Sequence, residues 1–191
     1  MRFIQNRKRE SHNRILKVAV EEFRKRGVEN VGLAEVMKRA GLTHGGFYSH
    51  FRSKEKLVTA ALDESFKESL RNIGRDSKEG KNLQQFVGDY LSIKHRDHPD
   101  TGCSVALLTG DVARQSKAVR ANYASDLTES ISIIGTFLPS KLDPEKRREL
   151  ATAMYAMLVG TLQMARAVPD SVLSNQILAA GISAACALAE K

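Results

Sequence analysis

The 191-residue chain is 42% hydrophobic and 27% charged, enough apolar side chain for a core and enough charge for a soluble surface. It has no tryptophan and only four prolines, which argues against a sandwich of short strands needing frequent turn residues. Its formal net charge of +8 belongs to the first third, since residues 1–60 hold 14 Lys+Arg against 6 Asp+Glu and residues 61–191 hold 16 of each. A basic segment joined to a neutral one is the footprint of a nucleic-acid-binding module on a partner domain; the plainer reading is a solvated basic surface. Two cysteines 83 positions apart make no disulfide framework. The start, MRFIQNRKRE, lacks an apolar h-region, so no secretory signal is expected. No membrane span is expected either, because no run approaches ~18 apolar residues. The expected compartment is the cytoplasm.

In chain order, Ile15, Leu16, Ala19, Val20 and Phe23 share one helical face and predict a helix from about Arg9 to Arg26. Gly27 supplies its C-terminal stop, and Arg24, Lys25 and Arg26 suit the negative end of the dipole. A short helix over about Leu33–Ala40 follows, ended by Gly41. Thr43 is the N-cap of a third running to about Phe51, and Ser53 caps a fourth reaching about Ile73. The polar stretch GRDSKEGKN, residues 74–82, predicts a break. Helices are then expected at about 83–95, 102–114, 118–137, 144–167 and 171–189. The fold class is therefore all-α with about nine helices. An N-terminal domain over residues 1–57 is joined through the fourth helix to a second domain over 74–191.

A short helix, the three-residue connection Gly41-Leu42-Thr43 and a second short helix form the layout of a helix-turn-helix, whose second helix enters the major groove. Gly45 and Gly46 fall in the first turn of that second helix. There the absence of side chains lets backbone approach DNA, and free N–H groups favour an anion.

The stretch RILKVAVEEFRKRGVENVGLAEVMKRAGLTHGGFYSHFRSKEKL, residues 14–57, resembles the DNA-binding domain of the TetR (tetracycline-repressor) family without a gap. The resemblance implies a homodimeric transcriptional repressor, released from a palindromic double-stranded operator by a small-molecule effector. It implies that Thr43 caps the recognition helix near a phosphate and that His44, Gly45 and Gly46 face the groove, with His44 the candidate for a base-edge contact. Tyr48, His50 and Lys54 match backbone contacts, while Phe47 and Phe51 fill the small core. The sequence departs from the family's pattern at Gly32, where Thr or Ser usually starts the second helix and touches phosphate. The basic arm Arg7, Lys8 and Arg9 precedes the first helix and is able to reach the minor groove; a nonspecific tail is the alternative.

Beyond residue 74 the family's domain varies with its ligand, and the residues are read mainly by their chemistry. Phe86, Tyr90, Leu107, Leu108, Val112, Tyr123, Leu127, Phe137, Met154 and Met157 are candidates for the effector pocket, since aromatic residues and methionine suit an adaptable apolar cavity; packed core is the alternative. The last two helices are apolar nearly all round, which requires burial on several sides. The resemblance assigns that burial to a four-helix bundle between two copies, with Leu158, Leu162, Ile177, Gly181, Ala184 and Leu188 at the interface; internal helices of a monomer are the alternative. Cys103 follows Gly102 at a helix start, where a thiolate is stabilised, and a Gly-Cys here is similar to that of TetR-type regulators sensing electrophiles or oxidants; a small buried residue at a helix start is the alternative. His95, His98, Asp100 and Cys103 match no tight zinc spacing, so neither metal nor cofactor is expected. No catalytic motif occurs, so an enzyme is not expected. A ligand-independent architectural DNA-binding dimer and a thiol-based sensor acting through Cys103 remain the alternative functions.

Overall fold

The computed structural model describes residues 2–189, with side chains described from residue 6 onward. Among these residues the architecture is all-α. α1 (Arg2–Arg26), α2 (Leu33–Arg39) and a 3-10 helix (His44–Ser49) form the N-terminal unit. After them come α3 (Lys54–Lys78), α4 (Leu83–Tyr90), α5 (Ile93–Asp97), a 3-10 turn (Pro99–Thr101), α6 (Ser104–Ala113), α7 (Lys117–Gly135), α8 (Pro144–Ala167) and α9 (Ser171–Leu188).

The N-terminal unit closes around Ile15, Phe23, Val36, Met37, Phe47 and Leu57, all essentially buried. Gly27 and Gly41 adopt φ of +76° and +70°, the left-handed conformation in which glycine ends a helix at least cost. Charge ties α1 to α2: Glu22 is buried and pairs with Arg39 and Arg26, and Arg26 donates to both oxygens of Glu35 at 2.6 and 2.8 Å. The core then continues without interruption through α3 into α4, α6, α7, α8 and α9.

Four expectations are corrected. α1 begins at Arg2 rather than Arg9, so Arg7, Lys8 and Arg9 are helical residues and not an arm preceding the helix; no Gly or Pro intervenes to stop the helix there. α3 runs past Gly74 to Lys78 and turns only at Gly80, φ +73°. Gly74 keeps helical geometry, and a Cβ there would meet only Ile133 Cδ1 of α7, at an ordinary contact distance of 3.7 Å. The expected helix over 83–95 divides, because Ser92 accepts from the His95 N–H and starts a second helix. Finally, Ser171–Leu188 is, by length and hydropathy, apolar enough to cross a membrane. Its residues Ser174, Leu178, Gly181 and Ala185 are buried against the rest of the chain, while most others face outward.

Candidate nucleic-acid interface and effector cavity

The second helix of the helix-turn-helix is a 3-10 helix, tighter than the expected α-helix. Thr43 occupies its N-cap position with extended backbone, but its hydroxyl makes no capping hydrogen bond; the backbone alone closes the turn, Gly46 N–H donating to Thr43 O at 3.0 Å. The Thr43 side chain is thus exposed and uncommitted. Gly32 holds the same place for α2, likewise without a side-chain cap. Ser53 does cap α3, accepting from the Lys56 N–H at 3.2 Å.

Thr43, His44, Gly45, Tyr48 and Lys54 are each exposed, Gly46 and His50 are half-buried, and Tyr48 is 68% exposed. Phe47, beneath them, is fully buried and stacks on Phe51 at 5.8 Å. Neither Gly45 nor Gly46 has a positive φ. A Cβ on Gly45 would meet nothing within 4 Å, and one on Gly46 would meet only Thr43 Oγ1 at 3.6 Å and Met37 Cε at 3.9 Å. The fold itself therefore has no use for either glycine.

His50 is the C-cap residue of the 3-10 helix. Its Nδ1 is buried without a partner among the described residues. Burial lowers its pKa from the usual histidine value, assisted by His12 and Lys8. His12, on α1, stacks on Phe51 at 4.5 Å; sequence periodicity carried no signal for this, since the stack joins residues 39 positions apart. Arg9 is exposed on the same α1 helix.

Farther along the chain, a cavity of about 140 Å³ lies between α3 and α4 and reaches Ser69, Phe86, Tyr90, His95 and Cys103. Of the expected effector residues it gathers only Phe86 and Tyr90. Leu108, Val112 and Met154 are fully buried core, and Leu107, Tyr123, Leu127 and Met157 are half-buried against that core. Phe137 stacks on Phe86 at 4.4 Å from behind. A larger surface cleft of about 630 Å³ separates α1 from α3, but charges that pair with one another line it, Arg71 with Glu64 and Arg24 with Glu68, each at 2.8 Å.

Cys103 is the N-cap residue of α6 rather than its first turn, and it is buried. Its Sγ lies 3.6 Å from Tyr155 Oη. Its N–H donates to His95 Nε2 at 2.9 Å, while His95 Nδ1 lies 2.6 Å from Tyr90 O. Those two contacts assign the Nδ1–H tautomer of a neutral imidazole, and burial lowers the His95 pKa accordingly, against the Tyr90 carbonyl and with Arg166. Next to it, Ser104 N–H donates to Ser69 Oγ at 2.9 Å. Ser104 Oγ accepts from Arg24 Nη2 at 2.8 Å and Nε at 3.0 Å. Arg24 also reaches Ser65, Glu68 and the Asp100 carbonyl. The arginine read from sequence as a dipole-matching C-terminal cation is thus a buried junction of α1, α3 and α6. Its partners stand 41 and 80 positions away, so nothing local announced it.

The expected interface residues divide. Leu158 and Leu162 are fully buried inside the single chain, as is Gly181, where a Cβ would strike Thr161. They serve α8–α9 packing and present nothing to a second copy. Ala184 is exposed, and Ile177 and Leu188 are half-buried. The outward apolar face instead includes Met164, Val172 and Leu173.

Residues 15–61 match the sequence profile described as bacterial regulatory proteins, tetR family. The HTH-type transcriptional regulator TtgR of Pseudomonas putida is 29% identical over 179 residues, spanning 85% of this chain and 83% of that protein. A TetR-family transcriptional regulator from Cytophaga hutchinsonii superimposes with a TM-score of 0.76 at 17% identity, covering 97% of this chain and 98% of the other. The reduced form of NemR from E. coli superimposes with a TM-score of 0.70 at 20% identity, covering 90% and 95%. The helix-turn-helix and its glycine-bearing surface turn thus fall inside the stretch that matches the tetR-family profile, and along most of its length the chain is similar to a helix-turn-helix transcriptional regulator.

Proposed function

We propose that this regulator is a homodimeric repressor that leaves a palindromic operator when a small effector enters its C-terminal domain. The observation that carries the reading is the pair Gly45 and Gly46, set at the surface of the 3-10 helix and required by neither backbone conformation nor packing. Side chains missing without an internal reason leave room for something external, and a major groove fits that room. Around the glycines, Thr43, Tyr48, His50, Lys54 and Arg9 hold phosphates and His44 reaches a base edge. The DNA-binding unit is residues 1–57, α3 connects it, and residues 74–191 hold effector and partner. Two copies join through the outward faces of α8 and α9, around Ala184 and the exposed Met164, Val172 and Leu173; apolar residues so placed gain from being covered.

A footprint or genome-wide binding map tests this. It should give discrete near-palindromic sites with half-sites about one helical turn apart. Even coverage of DNA without preferred sites would favour an architectural role instead. A thiol-based sensor is the second reading, favoured by Cys103 standing on the cavity wall. Modification by iodoacetamide that releases DNA from the native protein, and fails to do so in Cys103→Ser, would make it the first.

A further inference from the structure

The turn between α3 and α4 sets a tethered cation on two of the acidic residues that line the cavity. Lys81 Nζ lies 2.8 Å from Asp76 Oδ1, near the end of α3, and 2.8 Å from Asp89 Oδ2 on α4. These hydrogen bonds push the lysine's pKa well above its usual value. Asp76 and Asp89 both line the cavity, whereas no lysine or arginine among the described residues does. Inside the rim stand the rings of Phe86 and Tyr90, and His95 is held neutral by burial. Tyr90 is 7% exposed, and its Oη has no hydrogen-bond partner among the described residues. An orphaned buried hydroxyl is costly, and here it lies beside a cavity able to hold a partner for it.

We propose that this cavity takes a small organic ammonium, whose charge replaces Lys81 between Asp76 and Asp89 while its body lies against Phe86 and its far polar atom meets Tyr90 Oη. The proposal deepens the effector-released reading and rests on it. The chain's own lysine demonstrates that the two carboxylates are spaced to share an ammonium. Aromatic faces add attraction for a cation. The volume limits size: about 140 Å³ is less than the ~300 Å³ at which drug-sized pockets begin, so a single ring fits inside and the ammonium stays at the rim, in the place that Lys81 vacates. From the cavity wall, Ser69 passes any displacement to the Ser104 N–H and through Ser104 to Arg24 on α1.

The test uses the full chain and three probes: tyramine, phenethylamine without the hydroxyl, and 4-ethylphenol without the ammonium. Calorimetric titration in the absence of DNA should rank tyramine first. Phenethylamine should bind about fivefold more weakly and 4-ethylphenol about tenfold or more, as expected for a neutral and a charge-assisted hydrogen bond. Tyr90→Phe should erase the difference between tyramine and phenethylamine. Asp89→Asn should weaken both amines, whereas Lys81→Met, which removes the internal competitor, should tighten them. A merely structural role for the triad would make both substitutions weaken binding, and that result overturns the proposal, as would 4-ethylphenol matching tyramine. Operator release is read separately by footprinting. Amine binding that leaves the footprint intact overturns the effector assignment, and absence of any footprint sinks the repressor reading while the titration still reports on the cavity.

Discussion

Replacing Arg24 with methionine keeps much of the aliphatic stem and removes the guanidinium's own donors from the junction of α1, α3 and α6. The consequences can be counted partner by partner. Glu68, whose side chain is 45% exposed, regains water at little cost. Ser65 and Ser104 keep one another, since their hydroxyls are bonded and Ser104 Oγ also donates to Ser65 O at 2.9 Å. The Asp100 carbonyl, which Arg24 Nη1 meets at 3.1 Å, is left without that donor in a half-buried place, costing about 1–3 kcal/mol. Removing the bond to Glu68 and those to the hydroxyls adds about 1.5–3 kcal/mol for a charge-assisted interaction. Relief from desolvating the guanidinium offsets part of this. The balance is a loss of about 2–4 kcal/mol in unfolding free energy, measured by urea denaturation as a lower midpoint with unchanged slope. Operator affinity without effector should stay close to that of the parent protein, whereas the coupling between effector and operator should collapse. A stability loss below about 1 kcal/mol would refute the junction as a net stabilising feature. Intact effector release would show that the signal crosses elsewhere, for example where Asp111 of α6 faces Gly27.

Lys54→Ala should weaken binding to all sequences and flatten the salt dependence by about 0.9 log unit for each phosphate no longer neutralised, while His44→Ala should relax preference at one symmetric pair of base positions by about 1–3 kcal/mol; filter binding across salt concentrations and operator variants separates the two. Ala184→Glu places a charge on the outward face of α9 and should yield monomer in light scattering together with weakened operator affinity; an unchanged dimer would move the interface off α9. Stability should fall as pH drops below the unfolded histidine range near 6.5, since His95 and His50 have lowered folded pKa values and the unfolded chain binds more protons there. His95→Gln should flatten that dependence in denaturation curves collected between about pH 7 and 5.

The sequence was most readable where a residue's meaning is local. Gly27 and Gly41 stop helices by their own backbone freedom, Ser53 caps its own helix, and the Asp143-Pro144 start of α8 lies where expected. The glycine pair was also readable as anomalous, because two glycines in a helix contradict propensity. Reading failed where meaning depends on distant residues. Gly74 looks like a breaker, yet α3, packed along α7, carries helical geometry through it to Lys78. Leu158 and Leu162 cannot be told from interface leucines by pattern, because a helix covered by its own chain and one covered by a copy carry the same apolar stripe. The effector candidates suffered similarly. Aromatic and methionine content marks core and cavity alike, and only the unfilled space beside Tyr90 separates them.

The uninterrupted course of α3 makes it a lever. Lys54 at its first position and Asp76 near its end are 22 residues apart on one helix, about 33 Å at 1.5 Å per residue. A rod of that length magnifies small rotations: tilting it by about 5° displaces the opposite end by about 3 Å. In a two-fold assembly the two displacements add, to about 6 Å, against the ~34 Å that separates successive major grooves. Under the dimeric, effector-released function proposed above, a ligand at one end need only wedge α3 slightly from α4 to put both reading heads out of step with the duplex.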